Sequence, residues 1–144
     1  MATPHVRILV RNRYYHVFNR GNRKQLIFID DIDYSRFLGC LCRFIVYYDL
    51  HLIAYCLMPN HFHLIIKTGE SPEDLPKFMQ KAMLSYVMYF NRRHDLVGRL
   101  FQSPYKSKAF LDENLKVLKE YIRRNPIKAG LCSQGEHYKW MEVF

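Results

Sequence analysis

Residues 50–67, LHLIAYCLMPNHFHLIIK, hold a turn signal between two apolar runs. Proline presets its own backbone angle and asparagine tolerates unusual ones, so Met58-Pro59-Asn60 reads as a tight turn. Leu50 to Leu57 then forms a buried strand, and His61 to Lys67 returns antiparallel to it. Side chains alternate faces along a strand, so His61 and His63 project together while Phe62 goes to the opposite side. Two imidazoles on one face beside a turn are placed to share one metal ion. An ordinary surface or hydrogen-bonded pair has the same spacing, and the residues alone leave both readings open.

Upstream, Tyr14 to Asn19 (YYHVFN) is rich in aromatic and β-branched residues and is closed by Arg20-Gly21-Asn22, which predicts a first strand. Between them, Asp33 to Tyr48 sets Phe37, Leu38, Leu41, Phe44, Ile45 and Tyr48 at helical spacing, with Asp31 or Asp33 as the cap. Downstream, a second helix starts at Ser71 or Asp74, with Pro72 and Pro76 tolerable only in a first turn. Its apolar stripe is Leu75, Phe78, Met79, Ala82, Tyr86, Tyr89 and Phe90. Arg99 to Leu111 reads as an extended segment interrupted at Pro104. Asp112 caps a last helix through about Arg124, with Leu115, Leu118 and Ile122 inward. The residue before a proline is driven out of helical geometry, so that helix is expected to end at Asn125-Pro126. The order β-α-β-β-α-β-α predicts an α+β fold, a ferredoxin-like (RRM-like) antiparallel sheet packed with helices, in one domain over residues 1–144.

Composition narrows the function. Hydrophobic residues make up 49% of 144, ample for a core, which excludes disorder. Lys and Arg number 22 against 13 Asp and Glu, a net charge of +9. Each phosphate neutralised by such side chains releases condensed counterions, so the excess favours a polyanionic partner. Cys40, Cys42, Cys56 and Cys132 form no Cys-x-x-Cys pair, so neither a zinc knuckle nor a redox motif is expected. The opening residues MATPHVRILVRNRYY lack a signal peptide's apolar run, and no run of about 18 apolar residues occurs. A soluble, cytoplasmic protein without membrane contact is expected.

Basic residues are interleaved with aromatics, as suits a groove for unpaired nucleic acid. Arg7, Arg11 and Arg13 precede Tyr14-Tyr15, and Arg20, Arg23 and Lys24 follow the first strand. Lys106, Lys108, Arg123 and Arg124 add to them near the end. Tyr121 and Asn125, four residues apart, lie on roughly one helix face. The stripe of Leu115, Leu118 and Ile122 does not need Tyr121. An amphipathic tyrosine at the core margin, with Asn125 as a helix C-cap, would look the same.

Four stretches in order, YHVFNRGN (15–22), CLMPNHFHLIIK (56–67), GRLFQSPYKSKAF (98–110) and YIRRNPIKAGL (121–131), carry a family resemblance. The sequence resembles the single-tyrosine transposases of the histidine-hydrophobic-histidine endonuclease superfamily, most closely the REP-associated tyrosine transposases. The resemblance implies that His61 and His63 bind a divalent metal ion and that Tyr121 is the nucleophile. It also implies that Asn125 supplies a third, amide-oxygen ligand. The implied product is a 5′-phosphotyrosine bond with a free 3′-hydroxyl. The implied partner is single-stranded DNA, often with a palindromic hairpin. Relatives occur both as homodimers and as monomers. Only residues 132–144 follow the last stretch, where many relatives carry a longer tail.

The chemistry is consistent with that set. Phenols ionise near pH 10, so a tyrosine nucleophile needs help at neutral pH. An ion that orients the phosphate and polarises its oxygens gives that help. Mg²⁺ or Mn²⁺ suits a phosphate-binding site, and imidazole ligands tolerate Mn²⁺ better. Two rivals stay open: a binding module that never cuts, and a metal-dependent phosphodiesterase acting through water.

Overall fold

The computed structural model describes residues 9–144; Arg7 lies outside them. Leu50–Met58 (β2) and His61–Thr68 (β3) form the expected hairpin, in a register that pairs Met58 with His61 and Cys56 with His63. A bulge between Leu52 and Ala54 inserts one residue into β2. That insertion lets both Leu52 and Tyr55 pack toward the same layer. Tyr14–Arg20 (β1) pairs antiparallel with β3, and Lys106–Phe110 (β4) pairs antiparallel with β1. With Met141–Val143 (β5) on β2, the sheet order is β4-β1-β3-β2-β5. Its first four strands have the ferredoxin-like order, as the sequence predicts.

Strand alternation sorts the residues between two layers. Tyr15 and Val17 of β1, Phe62, Leu64 and Ile66 of β3 and Leu57 of β2 meet helices α1 (Asp31–Ile45) and α2 (Asp74–Arg93) in the larger core. Phe37, Leu41, Phe78, Ala82 and Tyr86 complete it, all fully buried. Each of the Phe and Leu side chains among them contributes about 1.5–3 kcal/mol. The opposite face packs Ala54, Cys56, Met58 and Ile65 against Ile122 of α3 (Leu115–Lys128), with Leu115 and Leu118 at the margin. Because α3 covers only part of this face, a cleft remains beside it, with half-buried His61 and buried His63 of β3 in its wall.

Three local expectations are corrected, and one is met. Helix α1 is capped by Asp30, whose carboxylate accepts from the Ile32 and Asp33 amides; Asp33 is instead drawn into the core. Arg99 to Leu111 is interrupted at Pro104 as expected: Phe101 bridges to Gly21, the chain bends through 102–104, and the ladder strand runs from Lys106. Helix α3 begins at Leu115 after a 3-10 turn over Asp112–Asn114, and no side chain caps it at Asn114. Finally, α3 does not stop at Asn125; it runs through Pro126 to Lys128.

The proline is accommodated because it sits in the last turn. There it removes one ladder bond, and its ring is buried. A Schellman ending then holds the carbonyls beyond it: the Leu131 amide donates to Pro126 O at 2.9 Å, and the Gly130 amide to Ile127 O at 3.0 Å. Gly130 takes φ +74°, which this ending requires and which other residues resist. Asn125 is therefore inside the helix and not its C-cap, which leaves its amide free to face the sheet.

The chain end carries an element the sequence reading lacked. Tyr138 donates its hydroxyl to Leu57 O, Leu57 N donates to Trp140 O, and β5 then covers the outer edge of β2. Trp140 stacks on Tyr34 with ring centroids 4.8 Å apart. Cys40, Cys42, Cys56 and Cys132 are all free thiols.

Candidate active site

Two cross-strand neighbours place each histidine. His63 lies between Phe18 of β1 and Cys56 of β2, and His61 between Arg20 and Met58. The two imidazoles stand on the α3 face with centroids 5.1 Å apart, nearly perpendicular. Asn125 reaches them from α3, its amide nitrogen 3.1 Å from His63 Nε2 and hydrogen-bonded to His61 as well. One turn earlier, the Tyr121 ring meets His63 edge-on at 5.8 Å. The ring is 48% exposed. The sheet and α3 thus bring His61, His63, Tyr121 and Asn125 into one cleft of about 560 Å³.

A third histidine joins them. His16 of β1 shares a 2.9 Å hydrogen bond between its Nε2 and His63 Nδ1, and its ring lies nearly parallel to that of His63 at 5.1 Å. The sequence reading passed over it inside YYHVFN. Period-two alternation with Phe18, and β1 as the partner of the histidine strand, were the signals that point to it.

Burial above all keeps these rings neutral, since none can gain a proton without losing hydration and facing another imidazole or Lys108. His63 is pushed down to about 3, by burial first and then by His16 and His61. Burial and the Lys108 ammonium push His16 down to about 4. Burial also lowers His61, and the Asn125 hydrogen bond works against that. A neutral imidazole has a free lone pair for a metal; a protonated one has none.

The donor set fits a divalent ion. Asn60 Oδ1 lies 2.8 Å from His61 Nδ1, and His16 occupies His63 Nδ1. Both contacts leave the Nε2 atoms for the side of Asn125. If His63 carries its proton on Nδ1 and donates to His16, its Nε2 lone pair faces the amide. Among the described residues no three His, Cys, Asp or Glu side chains gather as a metal site. His16 meets Nδ1 of His63, the nitrogen turned away from Asn125, and the side-chain amides that line the cleft beside the two imidazoles are Asn19, Asn60, Gln102 and Asn125.

The expected basic residues separate into groups. Arg20 and Lys106 line the cleft, together with Lys24, Asn19, Asn60 and Gln102, and the Arg20 guanidinium donates to Gln102. Arg23 lies in an adjoining groove with Arg20, Lys24 and Gln102. Lys108 lines a second cavity on the far side of Tyr121. Arg11 and Arg13 precede β1, at the end of the strand opposite Arg20, and Arg11 pairs with Glu70 at 3.5 Å. Arg123 is tied to Glu120 at 2.8 Å and faces Gly135 and Glu142, away from the cleft. Arg124 is exposed one turn beyond Tyr121.

The loop after β1 is held in an unusual backbone. Arg23 and Lys24 have φ of 56° and 59°, left-handed values that cost non-glycine residues energy. Amide bonds from Gly21 to Asn60 O and from Asn22 to Leu100 O brace it. A Cβ on Gly21 would meet Gln25 O at 2.1 Å, so only glycine fits this approach. The bracing docks three cations beside the turn that starts the histidine strand.

Residues 9–125 match the family described as transposase IS200 like, a span reaching from before β1 to Asn125. The chain belongs to that family. Membership in this transposase family makes it a DNA-cleaving enzyme. Its fold is similar to that of a REP-associated tyrosine transposase solved bound to a REP hairpin, with a TM-score of 0.76 and 15% identity over 97% of this chain and 82% of that one. It is also similar to a Deinococcus radiodurans R1 protein assigned as a transposase, with a TM-score of 0.55 and 16% identity over 85% of this chain and 97% of that one. No curated protein sequence matches. Among the described residues no helix is long and apolar enough to cross a membrane.

Proposed function

We propose that this transposase cleaves and rejoins single-stranded DNA through a covalent bond to Tyr121, with a divalent ion, Mg²⁺ or Mn²⁺, held by His61, His63 and Asn125. The observation that carries the proposal is the placement of the Tyr121 ring 5.8 Å from His63, on the same helix face as the amide that bonds His63 Nε2. A pure binding module has no use for that convergence. When bound, the ion supplies positive charge to the phosphoryl oxygens of the substrate. Tyr121 Oη forms a bond to phosphorus as the bond to the 3′-oxygen breaks; the phenol proton is lost and the leaving oxygen gains one. The phosphodiester's energy stays in the 5′-phosphotyrosine, so a second 3′-hydroxyl reverses the step without ATP.

His16 acts as a positioning residue by holding His63 Nδ1, which orients the opposite nitrogen. Arg20, Lys24 and Lys106 bind flanking phosphates, and Arg23 extends that track. The fold it shares with a protein solved on a REP hairpin supports a strand bearing a palindromic hairpin as the partner. The test incubates the protein with 5′- and 3′-labelled oligonucleotides and Mn²⁺ and resolves the products on a denaturing gel. A protein-sized band carrying the 3′ label is expected, and it disappears with Tyr121→Phe. Cleavage without an adduct would establish attack by water, and an adduct in the variant would establish another nucleophile.

A further inference from the structure

The Tyr121 ring stands between two cavities. One is the histidine cleft; the other, of about 760 Å³, opens between the β1–β4 ladder and α3. Phe18, His63 and Tyr121 line both. Their walls differ in character. Cations and amides surround the histidine cleft, whereas Phe18, Phe110, Val117 and Leu118 wall the second space. Its floor holds the His16–Phe18 ring pair, 4.7 Å between centroids, and Phe110 is braced from behind by stacking on Tyr14 at 5.7 Å. Val117 is 71% exposed, an apolar side chain that supports no core. Lys108 enters from the sheet and Asn114 from the start of α3. The Asn114 side chain makes no capping hydrogen bond, and the Lys108 ammonium acts on His16.

We propose that this second cavity receives an unpaired nucleobase of the bound strand, carried by a nucleotide next to the phosphate that Tyr121 attacks. The inference rests on the tyrosine-nucleophile reading above. Every base has a π face that stacks on aromatic and apolar side chains whatever its sequence. Its edge carries donors and acceptors that match an amide, which Asn114 supplies. Lys108 stands at the rim, where the inserted nucleotide's phosphate passes. A base seated there leaves the stack of its neighbours and fixes which phosphate stands at Tyr121. Unpaired DNA gives up a base at small cost, while a duplex must first break a pair, so the pocket also selects for single strands.

The test titrates the full chain, with ¹³C-labelled Val and Leu methyls, with two short oligodeoxynucleotides of equal length. One carries thymine throughout and the other is abasic throughout, with the same phosphates. The thymine strand should shift the Val117 and Leu118 methyl resonances, and the abasic strand should leave them in place. Phe110→Leu keeps apolar bulk and removes a stacking face; it should weaken binding of the thymine strand about tenfold and leave abasic binding unchanged. Methyl shifts equal for both strands, or absent for both, overturn the proposal, as does equal weakening of both by the variant. Neither readout needs cleavage, so absence of the covalent adduct would sink the tyrosine reading and leave this result to stand alone.

Discussion

Asp33 and His63 are both buried ionisable side chains, 0% and 7% exposed, yet their surroundings obey opposite rules. Asp33 accepts from the Ile29 amide, the Tyr89 hydroxyl, Arg93 Nη1 and His94 Nε2, at 2.7–2.8 Å. Burial pushes its carboxyl up, but these donors outweigh burial and hold it below the usual range. His63 meets two more imidazoles and an amide. The histidine ion pairs among the described residues are His94–Asp33 and His137–Glu142, so no carboxylate pairs with the site rings. The first cluster ties the start of α1 to the end of α2. The second joins neutral rings and amides at the wall of a cleft, without the charged partners that stability alone would favour for buried polar groups.

That contrast breaks first at Tyr121. Tyr121→Phe should lower adduct formation by about 10⁶-fold, the scale at which loss of a covalent nucleophile acts. Its melting should stay within about 0.5 kcal/mol of the parent, as for an exposed surface change. A large loss of stability would mean that the ring belongs to the packing of α3 and not to chemistry.

Asp33→Ala should do the reverse, costing about 1–3 kcal/mol because the Ile29 amide, the Tyr89 hydroxyl and His94 lose their acceptor. Mn²⁺ binding by the folded fraction should be unchanged. The acid limb of stability sharpens the same point. Asp33 is lowered, and Asp30 is lowered to about 2, chiefly by the Arg93 hydrogen bond. The unfolded chain therefore binds more protons through this window, so their contribution is complete above about pH 4. It is lost as the pH falls toward 2. Denaturant titrations at stepped pH should show that loss in the parent and a flatter profile in Asp33→Ala.

His16→Leu tests the other cluster at a smaller scale. Removing the partner of His63 Nδ1 should weaken Mn²⁺ binding about 10- to 100-fold. Metal-free stability should change little or rise, because an apolar side chain replaces a buried polar one. His16→Gln, which keeps a hydrogen-bonding group, should recover part of the affinity in calorimetry. Equal affinity in His16→Leu would reduce His16 to a packing residue.

The fold was legible where local rules act alone. Met58-Pro59-Asn60 and strict alternation fixed the hairpin and the common face of His61 and His63, because both signals lie within ten residues. Pro126 misled because the rule for a residue before proline is a local preference, and the Schellman ending and the buried ring outweighed it. The strand Met141–Val143 has only three residues, and its stability comes from pairing with β2, which no local pattern reports. The site was half legible. The histidine pair could be placed on a face, but His16, His63 and Asn125 meet only because β1 pairs with β3 and α3 crosses back over the open sheet. Those are contacts between residues far apart in the chain.

The smallest expected effect separates two adjacent arginines that sequence alone treats alike. Arg123 is held by Glu120 and faces the β5 side of α3, whereas Arg124 lies one turn beyond Tyr121, with no ion pair among the described residues. A strand lying across Tyr121 passes Arg124 and does not pass Arg123. Neutralising one phosphate contact on single-stranded DNA lowers the slope of log affinity against log salt by about 0.7. Arg124→Gln should show that reduction, and Arg123→Gln should leave the slope unchanged, in fluorescence anisotropy over a salt series. Equal slopes for both variants would place the strand off this face of α3, and with it the path that joins the histidine cleft to the cavity behind the tyrosine.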